Sequence, residues 1–494
     1  MKEYLEVVTM RLKHYEVCVI GAGVSGLKAA HMLINDRRSP YKVSDIAIFE
    51  AQDRLGGRIM TDRETSKLGF VYDLGAAWFH DFLSNEVLHE AVQDGSIIIL
   101  EDGYFDNKVP NVYASELEGP VDVRECKLEP LLEEIYTFIK GELENDPEFN
   151  KLSIDDALGK YLDKYGFSLS EQQIYFSKRM IRYLELWVGV TTDVASAENG
   201  LMEHNGRNLY NKKGYDFIIQ KLSRGIPSEQ LHLSNPIEWI NYRNSDNGYR
   251  VAMRTAEDNT IYCNYLIVSV PLSILSLPSG SPNSLTWAPQ MPSRLYDITH
   301  KQHFGALGKV IFEFENVWWP DEEDHFIIFP EKTPAVLSKD LLSELPNPFS
   351  YFGFVINYNA VNPHIKKGGS LVLLTQSPLT EYLEANPSQA WTYFKPMLAK
   401  ICVGHLTDPI NVITSGWTRN PYIRGAYSVV EAGDEFEEPI RKLYCDQYSD
   451  GNAHVRFVGE HSAIDGNGCV HGAYMSSVRE VSWIFRDHGI DLHA

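Results

Sequence analysis

Residues Gly21-Ala22-Gly23-Val24-Ser25-Gly26 follow the pattern Gly-x-Gly-x-x-Gly. A turn of this kind can bring backbone amides against a pyrophosphate. Gly21 permits the tight turn, Gly23 the close approach, and Gly26 the close packing of a helix on its strand. The helix that follows adds N–H groups and a positive dipole end at its start. Glu50 stands 24 residues after Gly26, near the spacing at which a carboxylate meets ribose hydroxyls. Two other residues have side chains that could move protons, His80 and Lys309. Taken alone, they read blandly. His80 fits a core histidine, and a strand pattern points Lys309 to solvent along its own aliphatic stem.

Defined elements must position these groups. Glu16-Val17-Cys18-Val19-Ile20 is a short apolar run of the kind found in buried parallel strands. Residues 27–34 read as a helix, and Asp45-Ile46-Ala47-Ile48-Phe49 as the next strand, closed by Glu50. This strand–turn–helix–strand order is what gives the glycine motif its weight. Leu131, Leu132, Ile135, Phe138 and Ile139 recur at helical spacing within a helical region spanning residues 128–190. Residues 306–314 alternate as a strand does, with Ala306, Gly308, Val310, Phe312 and Phe314 on one face and Leu307, Lys309 and Ile311 on the other. A second helical pattern lies near residues 390–404, and Pro- and Ser-rich residues 278–292 read as a crossing between domains.

Composition narrows the classes. The chain has 494 residues, 44% apolar and 23% charged, which excludes disordered and fibrous proteins. The net charge is −22, from 45 basic and 67 acidic residues, and it repels phosphate backbones, so no nucleic-acid partner is expected. Six cysteines are scattered without Cys-x-x-Cys spacing. That indicates neither a disulfide framework nor a structural zinc site, and no metal is expected. The most apolar long stretch, residues 265–277, is interrupted by Pro271 and is too short to span a bilayer. Glu3 and Glu6 sit where a signal peptide would be apolar, and the C-terminal Asp491-Leu492-His493-Ala494 is no peroxisomal tripeptide. A cytoplasmic, membrane-free protein is expected, with its oligomeric state open.

Beyond Glu50, the segment through Leu55-Gly56-Gly57-Arg58 resembles the extended fingerprint of the flavin-containing amine oxidases. The resemblance continues through Tyr72-Asp73-Leu74-Gly75-Ala76-Ala77-Trp78, Ser234-Asn235-Pro236-Ile237, Tyr265 to Pro271, Phe457-Val458-Gly459-Glu460-His461 and Gly468-Cys469-Val470. It implies FAD held by the glycine turn, Glu50 and Arg58, with Gly75, Ala76, Ala77 and Trp78 along the flavin ring. Ile237 would meet the adenine, and Glu460 the ribityl or pyrophosphate region. Gly468, Cys469 and Val470 would bring a helix start to the flavin.

The closest resemblance is to the yeast-type polyamine (spermine) oxidases, carried by Gly75 to Asp81, Tyr183-Leu184-Glu185-Leu186-Trp187, His204-Asn205-Gly206-Arg207-Asn208 and His303 to Glu315. It reverses the bland readings. Lys309 would hold a water against the flavin, and His80 would meet a substrate nitrogen. Asn208 and His204 would orient substrate, Trp187 would pack along its methylenes, and Tyr427 would form an aromatic wall. Asp102 aligns more loosely with an acidic tunnel residue. Ala426 stands where monoamine oxidases carry the cysteine that bonds FAD, so non-covalent FAD is implied. Cys469 takes the place of their second cage tyrosine.

The implied fold is α/β, a Rossmann-like FAD-binding domain interleaved with an α+β substrate-binding domain. FAD-binding segments 13–85, 206–290 and 415–490 would alternate with substrate-binding segments 86–205 and 291–414. The implied reaction is oxidation of spermine or an N-acetylated polyamine by oxygen beside a secondary amine. It gives an aldehyde, a shorter amine and hydrogen peroxide. A histone-lysine demethylase or an L-amino-acid oxidase is the alternative.

Overall fold

A computed structural model describes residues 13–93, 95, 101–102, 111–200, 205–244, 246–331, 340–445 and 453–492. Strand β1 (Lys13–Ile20) runs into the glycine turn, helix α1 (Val24–Asn35) follows, and β2 (Ile46–Phe49) returns parallel to β1. Val17, Cys18, Val19 and Ile20 are all buried, as expected of a strand covered on both faces. The Thr260–Val268 strand lies parallel on the other side of β1. Its first half pairs with Val251–Thr255 and its last three residues with Val455–Phe457. Chain segments hundreds of residues apart thus complete one eight-stranded sheet. The Val470–Asp487 helix packs beside α1, where Ser477 Oγ donates to the Ser25 carbonyl (2.7 Å).

A second, six-stranded sheet is largely antiparallel, with Leu307–Phe314 between Asn411–Thr414 and Gly369–Gln376. Both of its faces are covered. Val310, Phe312 and Phe314 pack with Trp318, Trp319, Tyr393 and Phe394. Ile311, on the opposite face, joins a core with Tyr72, Leu74 and Trp417. Helices Leu128–Asn145, Ile154–Tyr165 and Glu171–Met180 form a separate layer. Ser153 and Ser170 cap the latter two by accepting from Asp156 and Gln173 amides, at 3.1 Å each. The double coverage of the Leu307–Phe314 strand corrects the pattern-based placement of Lys309 in solvent: it is 8% exposed. Among the described residues, no helix is long and apolar enough to cross a membrane.

Candidate active site

The glycine turn opens onto a cavity of about 900 Å³. Its parts divide the labour as their chemistry requires. Gly21 has φ +98°, a conformation side chains resist. A Cβ on Gly23 would meet nothing within 4 Å, whereas one on Gly26 would overlap the Gly21 carbonyl oxygen. Gly21, Gly23, Val24 and Ser25 line the cavity, while Ala22 and Gly26 stand behind it. The Gly56-Gly57 turn lies alongside, with the Gly56 amide donating to the Ala22 carbonyl (2.9 Å) and Gly57 packed on Gly23. Two abutting glycine turns form a backbone-lined trough that fits a dinucleotide pyrophosphate.

Glu50 lines this trough and also braces it. Its carboxylate accepts from the Ala22 amide (2.6 Å) and the Gln52 amide (2.9 Å). Arg58 donates to the Ala426 carbonyl (2.8 Å) and to Glu460 Oε1 (2.9 Å). Burial pushes the Glu460 carboxyl up, but Arg58, His461 and Ser428 together outweigh it, leaving the group below its usual range. Ile237, at the start of the Ile237–Asn241 strand, also lines the cavity. So do Gly468, Cys469 and Val470, where the Val470–Asp487 helix begins.

The other part of the cavity is built from side chains. Lys309 Nζ donates to the carbonyls of Asp73 (2.6 Å) and Gly75 (2.8 Å), and lies 5.5 Å from the Trp78 ring centre. Burial lowers its pKa to about 8, partly opposed by the nearby Asp73 carboxylate. Burial raises Asp73 to about 6, against the pull of Thr61, the Tyr215 amide and Lys309. Each group is therefore poised nearer neutrality than usual. His80 Nδ1 and Asn208 Oδ1 are 2.9 Å apart, and the His80 ring meets Trp187 edge-on. Tyr427 donates to the Trp187 carbonyl (2.6 Å), fixing two aromatic walls to each other. Gly75, Ala76, Ala77, Trp78, His80, Trp187, Asn208, Lys309 and Tyr427 all face this same cavity.

A family model for flavin-containing amine oxidoreductases matches residues 24–484, nearly the whole chain. The chain belongs to that family. A Candida albicans protein called corticosteroid-binding protein is 44% identical over 95% of each chain. Polyamine oxidase 5 of Oryza sativa subsp. japonica is 25% identical, over 94% of this chain and 86% of its own. A redesigned putrescine oxidase shares the fold, with TM-score 0.66 at 16% identity, covering 96% of this chain and all of the other.

Against this amine oxidoreductase frame, two expected residues stand apart. His204 lies outside the described residues. The backbone of Asp102 pairs with Leu209, one residue from Asn208, but its side chain is outside the described set. Sequence reasoning missed the use of the Asp73 and Gly75 carbonyls to hold Lys309. It also missed Trp417, which lines the cavity and donates to the Leu74 carbonyl (2.8 Å). No spacing signals a contact between residues 343 positions apart.

Proposed function

We propose that this chain is a polyamine oxidase holding FAD non-covalently. In this reading the substrate is spermine or an N-acetylated polyamine, attacked at a carbon beside a secondary amine. Amine, oxygen and water give an aldehyde, a shorter amine and hydrogen peroxide. The observation that carries the reading is a single cavity lined both by the paired glycine turns and by Lys309, His80 and Asn208. When bound, the flavin supplies the two-electron redox chemistry linking amine to oxygen.

The chain's own residues prepare the reactants. Asn208 Oδ1 accepts from His80 Nδ1–H, so Nε2 is the acceptor nitrogen of the neutral ring. It can take a proton from a substrate ammonium, which must lose it before its carbon gives up hydride. Lys309, held on two carbonyls and tuned to about 8, can gain or lose a proton at working pH. Trp187 and Tyr427 offer flat apolar walls to a methylene chain. Glu50, Arg58, Glu460 and the two glycine turns would hold FAD, with Ala426 leaving no thiol at the position where monoamine oxidases carry the linking cysteine. The five interleaved segments and a cytoplasmic location belong to the same reading.

The test is peroxide release from spermine, N-acetylspermine, putrescine, a monoamine, an L-amino acid and a methylated histone peptide. Peroxide from the polyamines is expected, with FAD freed intact on denaturation. Flavin-loaded protein that gives none from any polyamine sinks the reading. The name of the 44% relative favours a second reading, steroid binding in the same aromatic cavity. Corticosterone that binds and perturbs the flavin spectrum, with no peroxide from any polyamine, would support it.

A further inference from the structure

Three side chains of unlike chemistry meet in the cavity wall, outside the group assigned to catalysis. They are Asp81, Cys469 and His471. One carboxylate oxygen, the Sγ and one ring nitrogen all lie within 4.8 Å of one another. Nε2 of His471 is 3.2 Å from Asp81 Oδ2. Zinc–nitrogen and zinc–oxygen bonds of about 2.0–2.1 Å at a tetrahedral angle separate two ligand atoms by about 3.3 Å. Two corners of a tetrahedron are therefore already in place. Movement of Sγ by about 1 Å would complete a third, leaving the fourth open to the cavity.

The imidazole is packed closely, with Gly466 against its Nε2 edge. A Cβ on Gly466 would overlap the ring, and one on Gly472 would overlap the Gly466 carbonyl, so two glycines make room for it. Asn85 Nδ2 stands 3.5 Å from His471 Nδ1, while donating to the His80 carbonyl (2.6 Å). Asp81 Oδ1 accepts from the Asn205 amide (2.6 Å). The helix start at Cys469 opposes a cation with about half a charge. The carboxylates of Asp81 and Glu460 both act on the Cys469 position in the opposite sense, favouring positive charge there. We propose that Asp81, Cys469 and His471 form a site for a thiophilic divalent cation of the Zn²⁺ class, seated in the cavity wall. Burial, Asp81 and Glu460 push the Cys469 thiol up to about 12, and a bound cation displaces that proton.

ZnCl₂ titrated calorimetrically into the flavin-loaded protein tests this, with MgCl₂ as the hard-ion control. Zn²⁺ binding without Mg²⁺ binding is expected, with a sulfur scatterer at about 2.3 Å in zinc X-ray absorption. Asp81→Asn and His471→Gln should each weaken binding at least roughly tenfold while keeping the flavin spectrum. Zinc that shows no sulfur neighbour, or binds all three proteins equally, overturns the site. The absorption measurement on the unmodified chain decides the matter even where a variant fails to fold. Zn²⁺ should also slow polyamine oxidation, reversibly by chelator. That arm alone rests on the proposed activity, since binding and scattering are read without substrate.

Discussion

The two ends of the cavity are made of different material. The end where we propose that the nucleotide sits is backbone: glycine turns at residues 21–26 and 56–57, lying against each other and braced by Glu50. The end proposed for substrate is side chains drawn from afar, with Lys309 on the carbonyls of Asp73 and Gly75, His80 on Asn208, and Tyr427 on Trp187. A backbone cradle needs room, so it fails when a side chain is added. A side-chain constellation needs particular functional groups, so it fails when one is removed.

Addition at the nucleotide end should have the largest effect. Gly26→Ala drives a methyl into the Gly21 carbonyl and should abolish flavin retention. The ratio of flavin to protein absorbance measures it, and an unchanged ratio would erase the contrast between the two ends. At the substrate end, Lys309→Met should keep the flavin and slow turnover about 100-fold. Stopped-flow flavin reduction and reoxidation show which half-reaction suffers.

The same variant carries a stability signature. Lys309 falls from 10.5 to about 8 on folding, so burial disfavours its charged form. The native chain bears that penalty fully below about pH 8 and sheds it as pH rises toward 10.5. Melting temperatures should therefore show the parent gaining on Lys309→Met across that window, with a constant difference below it.

Asp73→Asn sharpens the comparison further. The Asp73 carboxylate favours the Lys309 ammonium. Its removal should move the rate-profile limb belonging to Lys309 below about 8, by roughly one pH unit. A limb that stays put would give Asp73 a structural role only. The smallest effect expected is electrostatic capture. With a net charge of −22, kcat/KM for a polyamine should fall a few-fold, by about threefold, between low and physiological salt. An uncharged-tail amine should respond less.

What could be read from residue order tracks the range of the interactions. The run from Glu16 to Glu50 announced its strand, turn and helix because the positive φ of Gly21 and the packing of Gly26 on the Gly21 carbonyl are set within a few positions, although Ser269 closes on both glycines from far along the chain. Strand alternation correctly put Lys309 opposite Val310 and Phe312. It could not say whether that second face met water, because Tyr72, Leu74 and Trp417 cover it from elsewhere in the chain.

Residue order by itself therefore determined the first glycine turn and the face of the lysine strand, since period-two alternation and a positive-φ turn are local physics. Tertiary structure alone decided that Lys309 is buried on two carbonyls, and that Asp81 meets Cys469 and His471 across nearly 400 positions. The reason is physical. Burial and ligand geometry depend on which surfaces pack together, and that is set by whole sheets and helices rather than by any one segment.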